Sequence, residues 1–173
     1  VNVYQKINNN WTQMGNTLIN SGMDVNVPRY FQLSNDGQTI AFTEPSDPIN
    51  SGNFNNYELK IYSFDQNQWT QKGSFIQTTS TVYDISIDND GETISFVGET
   101  RVDDTGSTSN IFNLAAYTFV GNDWQQNYLN FDQNERDNAI PTIQIELSSG
   151  TLAYLKLRIP SQQYYQLHIH FVE

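Results

Sequence analysis

The sequence predicts an all-β protein built from three copies of one antiparallel unit. Two landmarks recur in the same order: a motif that begins at Trp11, Trp69 and Trp124, and an Asp-Gly or Ser-Gly turn followed by Thr-Ile or Thr-Leu. Successive Trp residues are 58 and 55 residues apart, and two landmarks kept in one register indicate a repeated supersecondary unit. No stretch of helix length has a helical period, so we expect the units to consist of strands.

Each unit is expected to contain four strands. The first carries the Trp, the second alternates apolar and polar residues, the third follows the Gly turn, and the fourth is again apolar at alternate positions. The expected strands are 11–15, 30–33, 39–42 and 59–62, then 69–76, 83–87, 93–96 and 114–117, then 124–129, 143–147, 151–154 and 167–170. Residues 1–4 match a fourth strand and bring the expected total to thirteen.

The turn residues and the Trp residues are interpreted as structural markers of the repeat. Asp36 and Gly37, like Asp90 and Gly91, lie between alternating apolar runs, which favours a type I′ hairpin with positive φ at both residues. Gly150 takes this place in the third unit. A residue that recurs at one position of a repeat is typical of a scaffold, so we expect all three Trp rings to pack in the core or between units.

Four-stranded antiparallel units without crossover helices are typical of a β-propeller. The expected fold class is therefore a β-propeller-like array of three four-stranded antiparallel blades plus one extra N-terminal strand, that is, a partial or open propeller. The expected boundaries within one repeat domain, 1–173, are 1–10 for the extra strand and 11–64, 69–120 and 124–173 for the blades. A stacked solenoid and a sandwich remain the alternatives.

Three blades are fewer than the usual minimum of about four in a closed propeller. A chain with three blades is therefore expected to meet one of three situations. The remaining blades belong to a longer parent chain, of which we expect this sequence to be a piece, or copies associate as a homo-oligomer to close the ring, or the array stays open.

Composition and charge narrow the classes of function. Eight Lys and Arg against nineteen Asp and Glu give a net charge of −11, and the basic residues form no cluster, which argues against nucleic acid as a partner. No apolar run approaches the roughly 20 residues that span a membrane as a helix, so no membrane insertion is expected. The chain has no Cys, which excludes disulfides and thiolate metal sites.

Catalytic motifs are missing from the sequence. It contains no Gly-x-Ser-x-Gly elbow, no phosphate-binding Gly-Lys-Ser/Thr loop and no dinucleotide fingerprint, so we expect a protein that is not an enzyme. The two His residues, His168 and His170, lie two positions apart on a strand. Two ligands leave a metal site open, and we expect them to face solvent.

The candidate ligand sites lie in long polar loops between the third and fourth strands, at 44–56 and 98–110. Carboxylates and Asn amides supply the oxygen ligands that Ca²⁺ prefers, so calcium is the one cofactor that the composition suggests. A rim that binds a surface glycan uses the same residue types, and a solvated connection without a ligand is the alternative. The candidate residues are Glu44, Asp47, Asn50, Asn53, Glu99, Asp103 and Asp104.

The order of these motifs resembles a known propeller repeat. The segments that carry the resemblance are Trp69-Thr70-Gln71-Lys72-Gly73, Leu33-Ser34-Asn35-Asp36-Gly37-Gln38-Thr39-Ile40-Ala41 and Leu59-Lys60-Ile61-Tyr62. They resemble a repeat of large surface and secreted proteins of the Bacteroidetes type, and the Ser-x-Asp-Gly turn is similar to that of Tol-type and tryptophan–aspartate-repeat propellers. The third copy lacks the Gly of the Trp motif. The resemblance implies binding or display at the cell surface.

We therefore expect a non-enzymatic extracellular or cell-surface propeller segment that acts as an interaction, adhesion or display scaffold. Its expected partners are proteins or surface glycans. Two alternatives stay open. One is a secreted glycan-binding protein or hydrolase whose site needs the closed ring, and the other is a structural component of a filament or virion in which exposed strand edges join neighbouring copies.

Overall fold

A computed structural model describes residues 1–18, 30–45, 57–78, 81–102, 109–132, 143–148, 151–157 and 165–171. These residues form fourteen strands and no helix, so the all-β prediction is confirmed for this part of the chain. The strands are β1 (Tyr4–Ile7), β2 (Asn10–Gln13), β3 (Phe31–Leu33), β4 (Thr39–Pro45), β5 (Tyr57–Asp65), β6 (Gln68–Gln71), β7 (Ile76–Thr78), β8 (Thr81–Ile87), β9 (Thr93–Val102), β10 (Ser109–Val120), β11 (Asp123–Asp132), β12 (Ile143–Ser148), β13 (Thr151–Leu157) and β14 (Tyr165–Phe171).

The described strands form four sheets in which every pairing is antiparallel. Sheet 1 contains β1 and β2, and sheet 2 has the order β3-β4-β5-β6 with β7 also paired to β5. Sheet 3 has the order β11-β10-β9-β8, and sheet 4 has the order β12-β13-β14. The expected first strand 69–76 is not continuous: β6 ends at Gln71, and Ile76 begins β7, which pairs separately with β5.

Each strand that carries a Trp pairs with the strand that precedes it. Trp69 in β6 lies opposite Phe64 in β5, and Trp124 in β11 lies opposite Phe119 in β10. A two-residue turn connects the two strands of each pair, and such a turn brings them into register directly. The hydrogen-bonded sheets are therefore offset by one strand from the sequence units 11–64, 69–120 and 124–173, which begin at the Trp strand.

Two strands continue into segments expected to be loops. β4 runs to Pro45 along β5, and β9 runs to Val102 along β10. Because the partner strands offer backbone groups along this whole length, pairing replaces the expected loop conformation. Glu44 and Glu99 consequently lie in strands, and the expectation that both are loop residues was wrong.

The type I′ turns occur at different hairpins from those expected. Gly37 and Gly91 have φ of +71° and +72°, but the Asp before each of them does not have positive φ. In the first turn the Asp36 carboxylate accepts the backbone N–H two residues further on, an Asx turn that suits an ordinary negative φ. Positive φ at both turn residues occurs instead at Asn8–Asn9 and Gln66–Asn67, in the polar hairpins before Trp.

The central strand β4 of sheet 2 is buried on both faces. On one face Ile40 and Phe42 pack with Met14, the residue after β2, and on the other Ala41 packs with Ile85 of sheet 3. Successive side chains of a strand point to opposite faces, and β4 is buried at every position from 39 to 44. Each fully buried aliphatic or Phe side chain contributes about 1.5–3 kcal/mol, so apolar packing is the main term that holds one sheet against the next.

Sheets 3 and 4 are also in contact. The strand β12 of sheet 4 contacts β8 and β9 of sheet 3. The face of sheet 3 away from sheet 2 is buried at Ser95, Val97, Leu114 and Ala116. In the part of the chain that the structure describes, sheets that are neighbours in sequence are thus also neighbours in space.

Candidate functional site

Trp69 packs on the preceding Trp motif. Its indole Nε1 donates a hydrogen bond to the Met14 carbonyl at 2.7 Å, and its ring centroid lies 5.1 Å from that of Phe64. Gly15 has φ of +71°, and a Cβ built on it would lie 2.9 Å from Phe64 Cε2 and 3.1 Å from Trp69 Cδ1. Trp69 is 4% exposed. We call this arrangement the first Trp–Gly contact.

The same arrangement joins Trp124 to Gly73. The indole Nε1 donates to the Lys72 carbonyl at 2.7 Å, and the ring centroid lies 5.2 Å from that of Phe119. Gly73 has φ of +71°, and a Cβ built on it would lie 2.7 Å from Trp124 Cδ1. A side chain at either Gly would be strained by the left-handed backbone and would also collide with the ring. We call this the second Trp–Gly contact.

The two contacts explain four of the five positions of Trp-Thr-Gln-x-Gly. Trp reaches back to the preceding motif, residue x presents its carbonyl to the following Trp, and Gly leaves space for that ring. The side chains of Gln13 and Gln71 donate to the carbonyls of Gly15 and Gly73, at 3.1 and 2.8 Å. Sequence analysis did not predict the roles of residue x and Gly, although Gly follows Trp by four positions in both motifs.

Trp11 differs from the other two Trp residues. It is 70% exposed, and it forms no hydrogen bond with the described residues through its indole nitrogen. Its cross-strand neighbour is Lys6, where Trp69 and Trp124 each face a Phe. The contact requires a Gly-bearing motif in front of the Trp, and residues 1–10 contain no Gly. The expected packing is therefore seen at two of the three Trp positions.

The carboxylates at the Asp-Gly turns are bound by their own hairpins. Asp36 Oδ1 accepts from Ser34 Oγ at 2.6 Å, and Asp88 Oδ1 accepts from the amides of Glu92 and Thr93 at 2.9 and 3.0 Å. Burial raises the pKa of Asp88 despite these hydrogen bonds. Within the described ranges, no group of three or more His, Asp and Glu side chains lies close enough to hold a metal ion.

The two turns also contact each other across the sheets. The backbone amide of Asp36 donates to the Asn89 carbonyl at 3.2 Å. A Cβ on Gly91 would lie 2.3 Å from Thr39 Oγ1, whereas a Cβ on Gly37 would meet nothing within 4 Å. Gly91 thus serves both the turn and the packing of sheet 3 on sheet 2, while Gly37 serves the turn alone.

Glu44 is the one candidate ligand whose side chain the structure describes, and it forms a buried ion pair. Its Oε2 lies 2.6 Å from Lys60 Nζ, and the two residues are 1% and 7% exposed. Glu58 Oε2 lies 3.7 Å from the same ammonium, and the Phe75 ring centroid lies 5.0 Å from it. Glu44 Oε1 is buried without a hydrogen-bond partner among the described residues.

The charges of this cluster stabilise protonated Lys60. Burial by itself lowers the pKa of Lys60, but the hydrogen bond and charge of Glu44, with the charge of Glu58, outweigh burial, so the pKa is raised. Burial has the opposite effect on the neighbouring phenol and raises the pKa of Tyr62. A lysine acts as a nucleophile or base near neutral pH only when its pKa is lowered. The arrangement therefore suits an internal ion pair rather than an acid–base or nucleophilic centre.

The remaining candidates are less completely described. The backbone of Glu99 pairs with Phe112 and Thr81, and His168 and His170 lie in β14. The other candidate ligands and the third turn marker lie outside the described residues: Asp47, Asn50, Asn53, Asp103, Asp104 and Gly150. Of the seven candidate ligands, the described part of the chain contains only Glu44 and Glu99.

Comparison with protein-family models, curated proteins and solved structures finds no match to this chain. In the described segments, no helix is long and apolar enough to cross a membrane.

Proposed function

We propose that the chain is a non-enzymatic segment of a β-propeller-like array that acts as an extracellular or cell-surface scaffold for interaction, adhesion or display. The observation that carries this proposal is the structural role of the residues that recur in the Trp motifs. The side chains that recur between motifs bind neighbouring strands and sheets, and this is what a scaffold requires of them.

The Trp–Gly contacts support the array. Each of them joins a Trp to a motif that precedes it by more than fifty residues, with the same hydrogen bond of 2.7 Å. Both contacts point in the same direction along the chain. A directional contact that is used twice adds sheets one after another, which is the arrangement that an array of blades needs.

The buried ion pair supports a structural role for the charged residue closest to the first polar loop. Glu44 forms an ion pair with Lys60 at 2.6 Å. Removing one partner of a buried ion pair lowers the free energy of unfolding by about 3–5 kcal/mol. A carboxylate with this role stabilises sheet 2 and is not available to a ligand. Binding is then assigned to the connections 46–56 and 103–108, where the remaining acidic and Asn candidates lie.

The test is a binding assay of the full chain on a glycan array and on a panel of extracellular proteins. The loop variant replaces Asp47, Asn50 and Asn53 with Ala. The control variant replaces three exposed strand residues, Gln5, Thr12 and Gln68, with Ala. We expect binding that the loop variant loses and the control keeps. Equal binding by both variants contradicts the assignment to the loop, and turnover of a polysaccharide panel contradicts a non-enzymatic protein.

Calcium is tested separately from the partner. A cation that binds only the folded protein would stabilise it by about 2.7 kcal/mol at a hundred times its Kd. Because the scaffold proposal needs no cofactor, we expect the same melting temperature with EDTA and with millimolar calcium. A higher melting temperature with calcium, lost in the Asp47, Asn50 and Asn53 variant, would instead assign the cation to the first loop.

A structural component of a larger assembly is the second candidate, because both faces of sheet 1 are exposed. Tyr4 is 52% exposed and Trp11 is 70% exposed, and large exposed apolar side chains that lie together mark interaction surfaces. Light scattering of the full chain over a hundredfold concentration range tests this candidate. A constant monomer mass contradicts assembly through copies of this chain alone.

A further inference from the structure

We propose that the face of sheet 1 that carries Tyr4 and Trp11 is the docking site for a further unit of the same kind. That unit would supply a glycine turn, meaning a left-handed Gly and the preceding residue whose carbonyl accepts the indole hydrogen bond. This docking site rests on the proposed array of repeated units, and it does not depend on what the loops bind.

The hairpin of sheet 1 has the same construction as the hairpin that carries Trp69. The turn residues Asn8 and Asn9 have φ of 48° and 67°, and Gln66 and Asn67 have φ of 48° and 63°. Both are two-residue turns, and the Trp follows the second turn residue by two positions in each. Trp11 is therefore presented on the same backbone as Trp69.

The exit from each hairpin is also the same. The amide of Met14 donates to the Val3 carbonyl at 2.8 Å, and the amide of Lys72 donates to the Ile61 carbonyl at 2.9 Å. When Trp11 is aligned with Trp69, Met14 aligns with Lys72 and Val3 aligns with Ile61. Equivalent backbone geometry before and after the Trp fixes the direction in which its ring projects from the sheet.

The face that carries Trp11 corresponds to a face that is covered in sheet 2. Tyr62 and Trp69 lie on the face of sheet 2 that packs against Val3, Met14 and Leu18, which flank the strands of sheet 1. Their counterparts in sheet 1 are Tyr4 and Trp11, both exposed. An aromatic side chain buries about 150–250 Å² when it is covered, so sheet 1 offers a ready apolar surface for the sheet that would come next.

The occupant is not a second copy of residues 1–173. The glycine turns at Gly15 and Gly73 are already filled by Trp69 and Trp124. In the third motif Tyr128 stands where Gly is required, and β11 continues through it, opposite Ala116. Within the described residues no Trp motif has a free glycine turn, and the left-handed Gly37 and Gly121 lie outside these motifs, so we assign the docking unit to polypeptide outside residues 1–173.

Lys6 makes the Trp11 site different from the two internal contacts. It lies opposite Trp11, where Phe64 lies opposite Trp69. A lysine is tolerated beside the ring in this contact, since Lys72 Nζ lies 5.8 Å from the ring centroid of Trp124. We therefore expect docking at Trp11 to be weaker than the internal contacts, and replacement of Lys6 with Phe to strengthen it.

The test places a second copy of residues 1–58 directly before Val1 of the full chain. The Gly15 of the added copy then precedes Trp11 by 54 residues, the separation of Gly15 and Trp69 in the native chain. The indole N–H signals are followed by ¹⁵N nuclear magnetic resonance, and a Phe replacement of the original Trp11 assigns its signal. We expect exchange of that indole N–H with water to slow at least about tenfold, because docking removes it from solvent.

The matched control carries Gly15→Val in the added copy alone. We expect this change to restore fast exchange at the original Trp11 while the indoles of Trp69 and Trp124 stay protected. With the native added copy, Lys6→Phe in the original chain should slow the exchange further.

Three results overturn the proposal. The first is fast exchange at the original Trp11 although the added copy has protected backbone amides. The second is an added copy without protected amides, since docking on Trp11 would order it. The third is self-association of the unextended chain that Trp11→Ala abolishes, because it would identify a second copy as the occupant.

Discussion

The first and second Trp–Gly contacts have the same backbone geometry and different surroundings. The first is apolar: Trp69 packs with Met14 and Phe42, and its backbone amide donates to Asn16 Oδ1 at 2.7 Å. The second is charged. Asp123 Oδ1 accepts from the amides of Ser74 and Trp124, and Lys72 Nζ lies 4.9 Å from the Phe119 ring centroid.

Features that are the same in both contacts are the ones that the contact requires. The indole hydrogen bond is 2.7 Å long and the Gly has φ of +71° in both cases. A directional donor and a backbone without Cβ therefore specify the position of the ring, and the surrounding side chains only fill volume or satisfy charge. The same argument explains why Met14 and Lys72 can occupy one position of the motif.

The largest expected difference is between the three Trp→Ala variants. Trp69→Ala should lower the free energy of unfolding by about 3–5 kcal/mol, the usual cost of removing a fully buried large ring. Trp124 is half-buried, so its replacement should cost less. Trp11→Ala should stay within about 0.5 kcal/mol of the native chain, as a surface change does. Urea unfolding measures all three, and equal losses would contradict the distinction between covered and uncovered rings.

The next comparison is between Lys60 in β5 and Lys72, the residue that follows β6. Lys60→Met leaves Glu44 as an uncompensated buried charge, which should cost about 3–5 kcal/mol. Lys72→Met leaves Glu92, which is half exposed to solvent, and should cost about 1 kcal/mol through the lost ring contact and exposed ion pair. The double variant Glu44→Leu, Lys60→Met is the control and should recover most of the first loss. Without this recovery the ion pair would not be the cause.

Two glycines with the same backbone conformation separate strain from collision. Gly73 has φ of +71° and Gly121 has φ of +69°, but only a Cβ at Gly73 would meet Trp124. Both Ala variants should carry a left-handed strain of about 1–2 kcal/mol. Gly73→Ala should lose about 1–3 kcal/mol more through overpacking. Thermal unfolding of the pair measures the difference, and equal melting temperatures would show that the ring moves aside without cost.

The smallest expected effect is acid weakening of the second contact. The amides of Ser74 and Trp124, with the Ser74 hydroxyl, lower the pKa of Asp123 from its ordinary value of 3.8. A carboxyl group with a lowered pKa in the folded state stabilises the protein above the unfolded pKa, and this contribution disappears as the pH falls through the folded pKa. The stability advantage of the native chain over Asp123→Asn should therefore be constant at neutral pH and shrink below about pH 3.8.

The measurement is urea unfolding of both proteins between pH 2.5 and 7, followed by Trp fluorescence. An Asp36→Asn variant provides a second carboxylate in a hairpin for comparison. A gap between the native chain and Asp123→Asn that persists unchanged to the lowest pH would contradict a role for the Asp123 charge.

Local patterns predicted the strands well and the turns less well. The segments 39–42 and 93–96 lie within β4 and β9, because alternation and turn residues act over a few positions of the chain. The turn type at Asp36 was wrong, since its carboxylate accepts a backbone amide and so favours negative φ. This local hydrogen bond competes with the type I′ preference of Asp-Gly pairs.

The candidate site was harder to predict than the strands. Glu44 was expected in a solvated loop, but β4 continues along β5 and brings it to Lys60 in a buried pair. The sequence carries one signal for this pair, a lysine inside the apolar strand Leu59-Lys60-Ile61-Tyr62. A lone charge in a buried strand requires a partner, but the spacing alone does not identify which carboxylate supplies it.

The strands, their antiparallel hairpins and the recurrence of the Trp motif are readable from the sequence, because each depends on residues within one hairpin. Which Trp is covered depends on the folded chain, since Trp69 meets a carbonyl 55 residues away and Trp11 meets none in the described part of the chain. Similar Trp motifs thus acquire different roles, depending on whether a Gly-bearing motif precedes them in the chain. The physical reason is that burial and hydrogen bonding of a side chain depend on distant segments, which a local pattern does not contain.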